Sequence, residues 1–158
     1  MNLCRAIGAC VALFVATPSI CAAEPPREGV TVAQFAIQGV LSRIQTYADV
    51  CTAKIPSLGP DFQDLMRGLN ARVSQIAKPL LASYATDPLV QGSTPKVLID
   101  AYNKWNQDLR QQLAGMDAAK QCPTYLVNYR TASDDFFRAG LEHTLATLRQ
   151  QLEELGKH

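Results

Sequence analysis

The chain has 158 residues, of which 47% are hydrophobic, and its 15 Lys and Arg residues nearly balance its 14 Asp and Glu residues. Because there is no basic excess and no polybasic cluster, the composition argues against a nucleic-acid-binding protein and against one that docks on an anionic membrane surface. The length suits a single domain with a single hydrophobic core.

Residues 1–23 have the pattern of a cleaved secretory signal peptide. Arg5 is their only charged residue, and residues 6–16 form an uncharged apolar run. Small residues at positions 21–23 precede Glu24, as they do at a cleavage site. The apolar run is shorter than the ~20 residues that a membrane-spanning helix needs, so we predict a signal peptide and no membrane span after cleavage.

A lipid anchor is the alternative, because a cysteine just after the apolar run can carry lipid. Cys10 lies inside the run, and Cys21 follows the bulky Ile20, where a small residue is usual. We therefore expect a soluble exported protein. The chain has no Asn-X-Ser/Thr glycosylation site, which favours the periplasm of a bacterium, with an extracellular location as the alternative.

The exported part is predicted to be a flexible N-terminal segment, residues 24–30, followed by one α-helical domain, residues 31–158. The first predicted helix begins with a capping box, Thr31 to Gln34, and closes near Lys54. Its apolar positions recur every three or four residues: Ile37, Val40, Leu41, Ile44, Tyr47, Ala48 and Cys51.

A second helix is predicted from Pro60, with Asp61 and Asp64 near the positive end of its dipole. Pro79 lies inside its apolar pattern, so we expect a kink or an end near Lys78. The apolar stripe of this helix is Phe62, Leu65, Leu69, Val73, Ile76 and Leu80.

A third helix is predicted with Thr94 as the N-cap and Pro95 in the first turn, ending near Gly115 and Asp117. One face carries an apolar stripe: Leu98, Ala101, Tyr102, Trp105, Leu109, Leu113 and Met116. The fourth helical stretch runs from Pro123 to Leu155. Its apolar phase slips, so we expect a break between Thr131 and Asp134, where Thr131 or Ser133 could cap a new helix.

These segments predict an all-α four-helix up-and-down bundle, because short loops favour antiparallel neighbours. Signal cleavage removes three of the five cysteines and leaves Cys51 and Cys122 at the same end of the bundle. In an oxidising compartment these two most simply form one disulfide. It would close a loop of about 70 residues and contribute about 4 kcal/mol to stability in the chain-entropy model.

A catalytic thiol or a metal-binding cysteine pair is the alternative. However, there is no C-x-x-C spacing, and neither cysteine has a neighbouring histidine to activate it. We also predict no metal and no cofactor: His143 has no second histidine near it, since His158 is the last residue, and the chain has no C-x-x-C-H haem site.

The sequence contains no catalytic constellation that we can identify. Ser133 beside Asp134 and Asp135 is typical of a helix start, and G-x-S-x-G, H-E-x-x-H and phosphate-binding loop motifs do not occur. We therefore predict that the protein is not an enzyme. An enzyme whose residues assemble only in three dimensions remains a third possibility.

Aromatic residues give the remaining functional indication. Tyr102 and Trp105 lie on the stripe of the third helix, whereas Tyr125, Tyr129 and Arg130 are the candidate interaction surface. Core packing is the alternative explanation for these rings. We predict an exported, non-enzymatic protein that acts through protein–protein interaction as an accessory, inhibitor, immunity-like or chaperone protein. The alternative is a periplasmic small-molecule carrier that uses the bundle interior or a kink at Pro79.

Overall fold

A computed structural model of the protein describes residues 29–157. The predicted signal peptide and residues 24–28 of the predicted flexible segment lie outside the described residues. Val30 belongs to the fold: its carbonyl accepts a hydrogen bond of 2.9 Å from the Thr94 amide. Its side chain packs against a cluster of buried residues that includes Val32 and Val90.

Residues 29–157 are all-helical, as predicted, and contain six α-helices and no strand. A short 3₁₀ turn, Pro56–Leu58, joins the first two helices, and one isolated antiparallel bridge pairs Thr31 with Ser93. The helices are α1 (Val32–Lys54), α2 (Gly59–Ser83), α3 (Pro88–Gln91), α4 (Lys96–Ala114), α5 (Ala118–Thr131) and α6 (Asp134–Leu155).

The predicted capping box of α1 is confirmed. The Thr31 hydroxyl accepts a 3.2 Å hydrogen bond from the Gln34 amide, and the Gln34 side chain accepts one of 3.0 Å from the Thr31 amide. These two bonds satisfy amide groups that the first turn of a helix leaves unpaired. The sequence therefore determines locally where α1 begins.

Pro79 does not end α2, which continues to Ser83. Proline removes one backbone hydrogen bond, the bond to the carbonyl four residues earlier. Here that carbonyl belongs to Gln75, which is exposed to water. Leu80 and Leu81 in the next turn pack against buried residues, so their burial outweighs the loss of one bond.

Two predicted helix starts are wrong. Thr94 does not cap α4: its side chain is buried, and Pro95 takes the N-cap position without a side-chain hydrogen bond. The backbone of residues 92–94 instead pairs with the start of α1. α5 begins five residues before Pro123, because Asp117 caps it by accepting a 3.3 Å hydrogen bond from the Lys120 amide.

The predicted break in the last helical stretch is confirmed. α5 ends at Thr131, and the Ser133 hydroxyl caps α6 by accepting a 3.2 Å hydrogen bond from the Phe136 amide. Arg72 fixes the junction from α2 by donating to the Ala132 carbonyl (2.8 Å) and to Asp134 (2.6 Å). The break lets both α5 and α6 turn an apolar side toward the core.

The hydrophobic core has two parts, both built on α1. The C-terminal half of α1 packs with α2, α5 and the start of α6, and this part contains the buried rings Phe62 and Phe137. The N-terminal half packs with α3, the start of α4 and the end of α6. α1 and α6 therefore run antiparallel, with α1 at the centre of the molecule.

The predicted disulfide is present in the core. Cys51 of α1 and Cys122 of α5 are joined by an S–S bond of 2.10 Å, with their Cα atoms 5.5 Å apart. Both residues have no exposed surface. The bond links α1 to α5 across 71 residues, which is the long-loop case in which a disulfide constrains the unfolded chain most.

The predicted count of four helices is not confirmed, and α4 is not placed as in a regular bundle. The backbone of α4 comes close to α1 and to no other helix among residues 29–157. The two helices are parallel, because successive contacts advance in the same direction along both: Phe35 with Tyr102, Arg43 with Trp105, and Asp49 with Arg110. α1 consequently has α4 on one side and α6 on another.

Candidate functional site

A groove lies between α4 and α6, with α1 as its floor. We call it the α4–α6 groove, and its volume is about 840 Å³. It exists because α4 packs along α1 without reaching α6 along its length. Phe136 and Gln151 mark its two ends on α6, so it is roughly 22 Å long at 1.5 Å of rise per residue.

The groove is lined mainly by apolar and aromatic side chains, and two of them are unusually exposed. Trp105 is 41% exposed and Phe136 is 58% exposed. Large rings normally bury more of their surface, and exposed apolar patches are typical of interaction sites. The aromatic lining consists of Phe35, Tyr102, Trp105, Tyr129, Phe136 and Phe137.

Local structure explains why these rings face the groove. Phe137 belongs to the core stripe of α6, and Phe136 precedes it by about 100° of helical rotation, which turns its ring outward. Tyr102 packs edge-to-face on Phe35 of α1, with ring centroids 5.4 Å apart. Trp105 is one turn further along α4, where no helix other than α1 comes close, so its ring stays partly exposed.

The contact between α1 and α4 is partly polar, which distinguishes it from the rest of the core. Gln38, Ser42 and Gln45 of α1 have buried side-chain oxygen atoms for which residues 29–157 provide no hydrogen-bond donor. Such atoms cost free energy that an apolar contact would not. At the far end, Arg110 pairs with Asp49 at 2.7 Å. α4 is therefore attached less firmly to α1 than an apolar helix face would be.

Arg43 is the charged residue of the groove floor. Its guanidinium lies 5.6 Å from the centre of the Trp105 ring, within cation–π distance. No aspartate or glutamate lines the groove, and its other basic lining residue is His143. The ionisable lining is therefore basic, apart from the phenols of Tyr102 and Tyr129.

The structure separates the three residues of the predicted interaction surface. Tyr125 and Tyr129 lie together around Tyr47 of α1, with ring centroids 4.5 Å and 6.0 Å from it. Both are partly buried against the core, and Tyr129 alone of the two lines the groove. Arg130 does not join them, because it forms an ion pair of 2.7 Å with Asp61 of α2.

The environment of Tyr129 shows how enclosed this end of the groove is. Burial raises the pKa of Tyr129 to about 12, and the neighbouring Tyr47 adds to the rise. The positive charge of Arg43, which lines the same groove, opposes the rise. Tyr129 is therefore neutral under physiological conditions.

Four residues of the groove were not predicted from the sequence to belong to a binding site: Arg43, Phe136, Gly140 and His143. His143 is exposed, as expected, but it lies at the rim of the groove. Phe136 next to the core residue Phe137 was the available signal, since two adjacent rings on one helix cannot both face the core.

Residues 29–157 contain no cluster of three or more His, Cys, Asp or Glu side chains arranged to hold a metal ion. In the same part of the chain, no helix combines the length and the apolar character needed to cross a membrane. The chain matches no protein-family model, no curated protein and no solved structure.

Proposed function

We propose that this protein is an exported, non-enzymatic interaction protein that binds one amphipathic helix of a partner protein in the α4–α6 groove. The observation that carries the proposal is the groove itself, with Trp105 and Phe136 exposed in it. Export to a periplasm rests on the sequence pattern of residues 1–23. The roles that fit such a protein are accessory, inhibitor, immunity-like and chaperone functions.

The dimensions of the groove favour a helix. A helix that lies in the groove would have about half of its volume below the rim. For an α-helix about 10 Å wide and 22 Å long, this half is ~860 Å³, which is close to the groove volume of about 840 Å³. Two helices, α4 and α6, form its walls, and α1 forms its floor. A helix bound in the groove would therefore contact all three and would give α4 a second neighbouring helix. An amphipathic helix in an apolar groove is a common mode of recognition.

A small-molecule carrier is the second candidate. It is favoured by the groove volume alone, since ligand clefts of proteins commonly measure 300–1,000 Å³. The site would then be the α4–α6 groove and not a kink at Pro79, which is exposed and lies outside the groove lining. The two candidates can be compared on one protein sample.

The test uses Trp105, the single tryptophan of the chain. A panel of tryptophan-free amphipathic peptides, each about five helical turns long, is titrated into the protein, with dodecanoate as the small amphiphile. We expect saturable peptide binding with a blue shift of Trp105 emission, because the occupant covers the indole. Saturation by dodecanoate without any peptide binding would support the carrier instead. A silent Trp105 with both probes would remove the groove as a binding site.

A further inference from the structure

Arg43 differs from every other arginine that the structure describes. The six others each pair with a carboxylate: Arg67 with Asp64, Arg72 with Asp134, Arg110 with Asp49, Arg130 with Asp61, Arg138 with Asp135 and Arg149 with Asp87. Arg43 has no carboxylate partner within residues 29–157, and its guanidinium lies over the face of the Trp105 ring. Among the arginines of residues 29–157, Arg43 is therefore the one whose guanidinium has no anion, and it lies in the groove.

The position of Arg43 makes its lack of a carboxylate partner significant for binding. Arg43 lies in the groove against the Trp105 ring of α4, and Tyr129 of α5 lines the same groove. An occupant that covers these rings also removes water from the guanidinium. Burying a charge without a partner is strongly unfavourable, so an occupant with only apolar atoms at this point would bind poorly.

We infer that the partner helix carries an aspartate or glutamate at the edge of its apolar face, near one end, and that this carboxylate binds Arg43. This inference rests on the proposed function. A carboxylate can accept two parallel hydrogen bonds from a guanidinium, which fixes direction as well as charge. The apolar residues of the partner select the groove, and the carboxylate sets the position of the helix along it.

Charge complementarity supports an acidic occupant over a basic one. No carboxylate lines the groove, so a lysine in the occupant would find no partner and would be repelled by Arg43. A neutral glutamine could accept one hydrogen bond without the charge. The three residues at one peptide position therefore rank as glutamate, glutamine and lysine in binding strength.

The experiment is a double-mutant cycle at one fixed pH and ionic strength. A peptide that binds in the fluorescence titration is prepared with Glu, Gln or Lys at the edge position. Each version is titrated into wild type, Arg43→Met and Arg67→Met. Arg67 is the control, because it is an exposed arginine on α2 outside the groove lining.

We expect wild type and Arg67→Met to bind the Glu peptide about tenfold more tightly than the Gln peptide. Arg43→Met should bind the two peptides equally, and added salt should shrink the wild-type preference. Equal affinity of wild type for the Glu and Gln peptides overturns the inference and leaves the proposed function standing. Failure of every peptide to bind overturns the proposed function itself. Thermal unfolding of both variants verifies that they are folded.

Discussion

Single residues at one end of the α4–α6 groove have environments that solution measurements can detect. Tyr129 lies beside Tyr47, partly buried, and its pKa is raised to about 12. A pKa raised above the ordinary value of 10.0 means that the fold favours the neutral phenol. Its contribution to stability is therefore complete below pH 10 and is lost as the pH rises toward 12.

Substitution of Tyr129 by phenylalanine tests this environment. In an alkaline titration followed by phenolate absorbance, wild type should show a late step near pH 12 that shrinks in Tyr129→Phe. The alkaline loss of stability should also be shallower in this variant. Tyr84→Phe is the matched control, since Tyr84 lies outside the groove lining. A late step that is unchanged in Tyr129→Phe would show that the ring is not enclosed as described.

At the scale of elements, the junction between α5 and α6 determines how the groove is lined. The Ser133 cap begins α6 at Asp134 and thereby sets the helical phase that buries Phe137 and exposes Phe136. A shift of the helical phase by one residue, about 100°, would turn Phe137 away from its place in the core. One hydroxyl thus links a local sequence signal to the shape of the site.

Ser133→Ala should lower the free energy of unfolding by about 1 kcal/mol, because it removes the hydrogen bond to the Phe136 amide. Chemical denaturation measures the change. Ser74→Ala is the control, since the Ser74 hydroxyl bonds to the carbonyl of Asn70 within α2 and caps nothing. If both variants lose the same stability, Ser133 is not acting as a cap.

The sequence predicts those features that depend on neighbouring residues. The capping box at Thr31 and the break before Ser133 follow from local hydrogen bonding and helical phase, and both are correct. The errors at Thr94 and Pro123 share one cause. In each case tertiary packing or a nearby cap outweighed the preference of one residue.

The groove could not be predicted from apolar stripes. A stripe shows that a helix has an apolar side, but it does not show how many neighbours cover that side. The stripe of α4 is buried at Leu98, Leu109 and Leu113 but open at Trp105 between them. The disulfide, by contrast, could be predicted, because only two cysteines remain in the expected exported chain.

At the scale of the whole molecule, a disulfide-linked part and an open part lie on different sides of α1. α2, α5 and the disulfide enclose one side of α1, where Cys51 and Cys122 are fully buried. α4 is attached to another side through a partly polar contact, and the groove lies beside it. A core closed by a disulfide beside an open aromatic groove supports the proposal that this protein binds a partner in the groove.

The proposal that the groove binds a helix is tested most directly by two glycines, Gly140 and Gly68. Both lie inside helices, and a Cβ added to either would meet no atom within 4 Å. Gly140 lines the groove, whereas Gly68 is on α2 outside it. Replacing either by leucine should raise stability, by up to about 1 kcal/mol, because glycine is a poor helix former.

The deciding measurement is the affinity of a labelled amphipathic peptide for wild type, Gly140→Leu and Gly68→Leu, followed by fluorescence anisotropy. We predict that Gly68→Leu binds like wild type and that Gly140→Leu, still folded, binds about tenfold more weakly or not at all, because its side chain fills the groove. Equal binding by all three proteins would contradict the account and place the binding surface elsewhere.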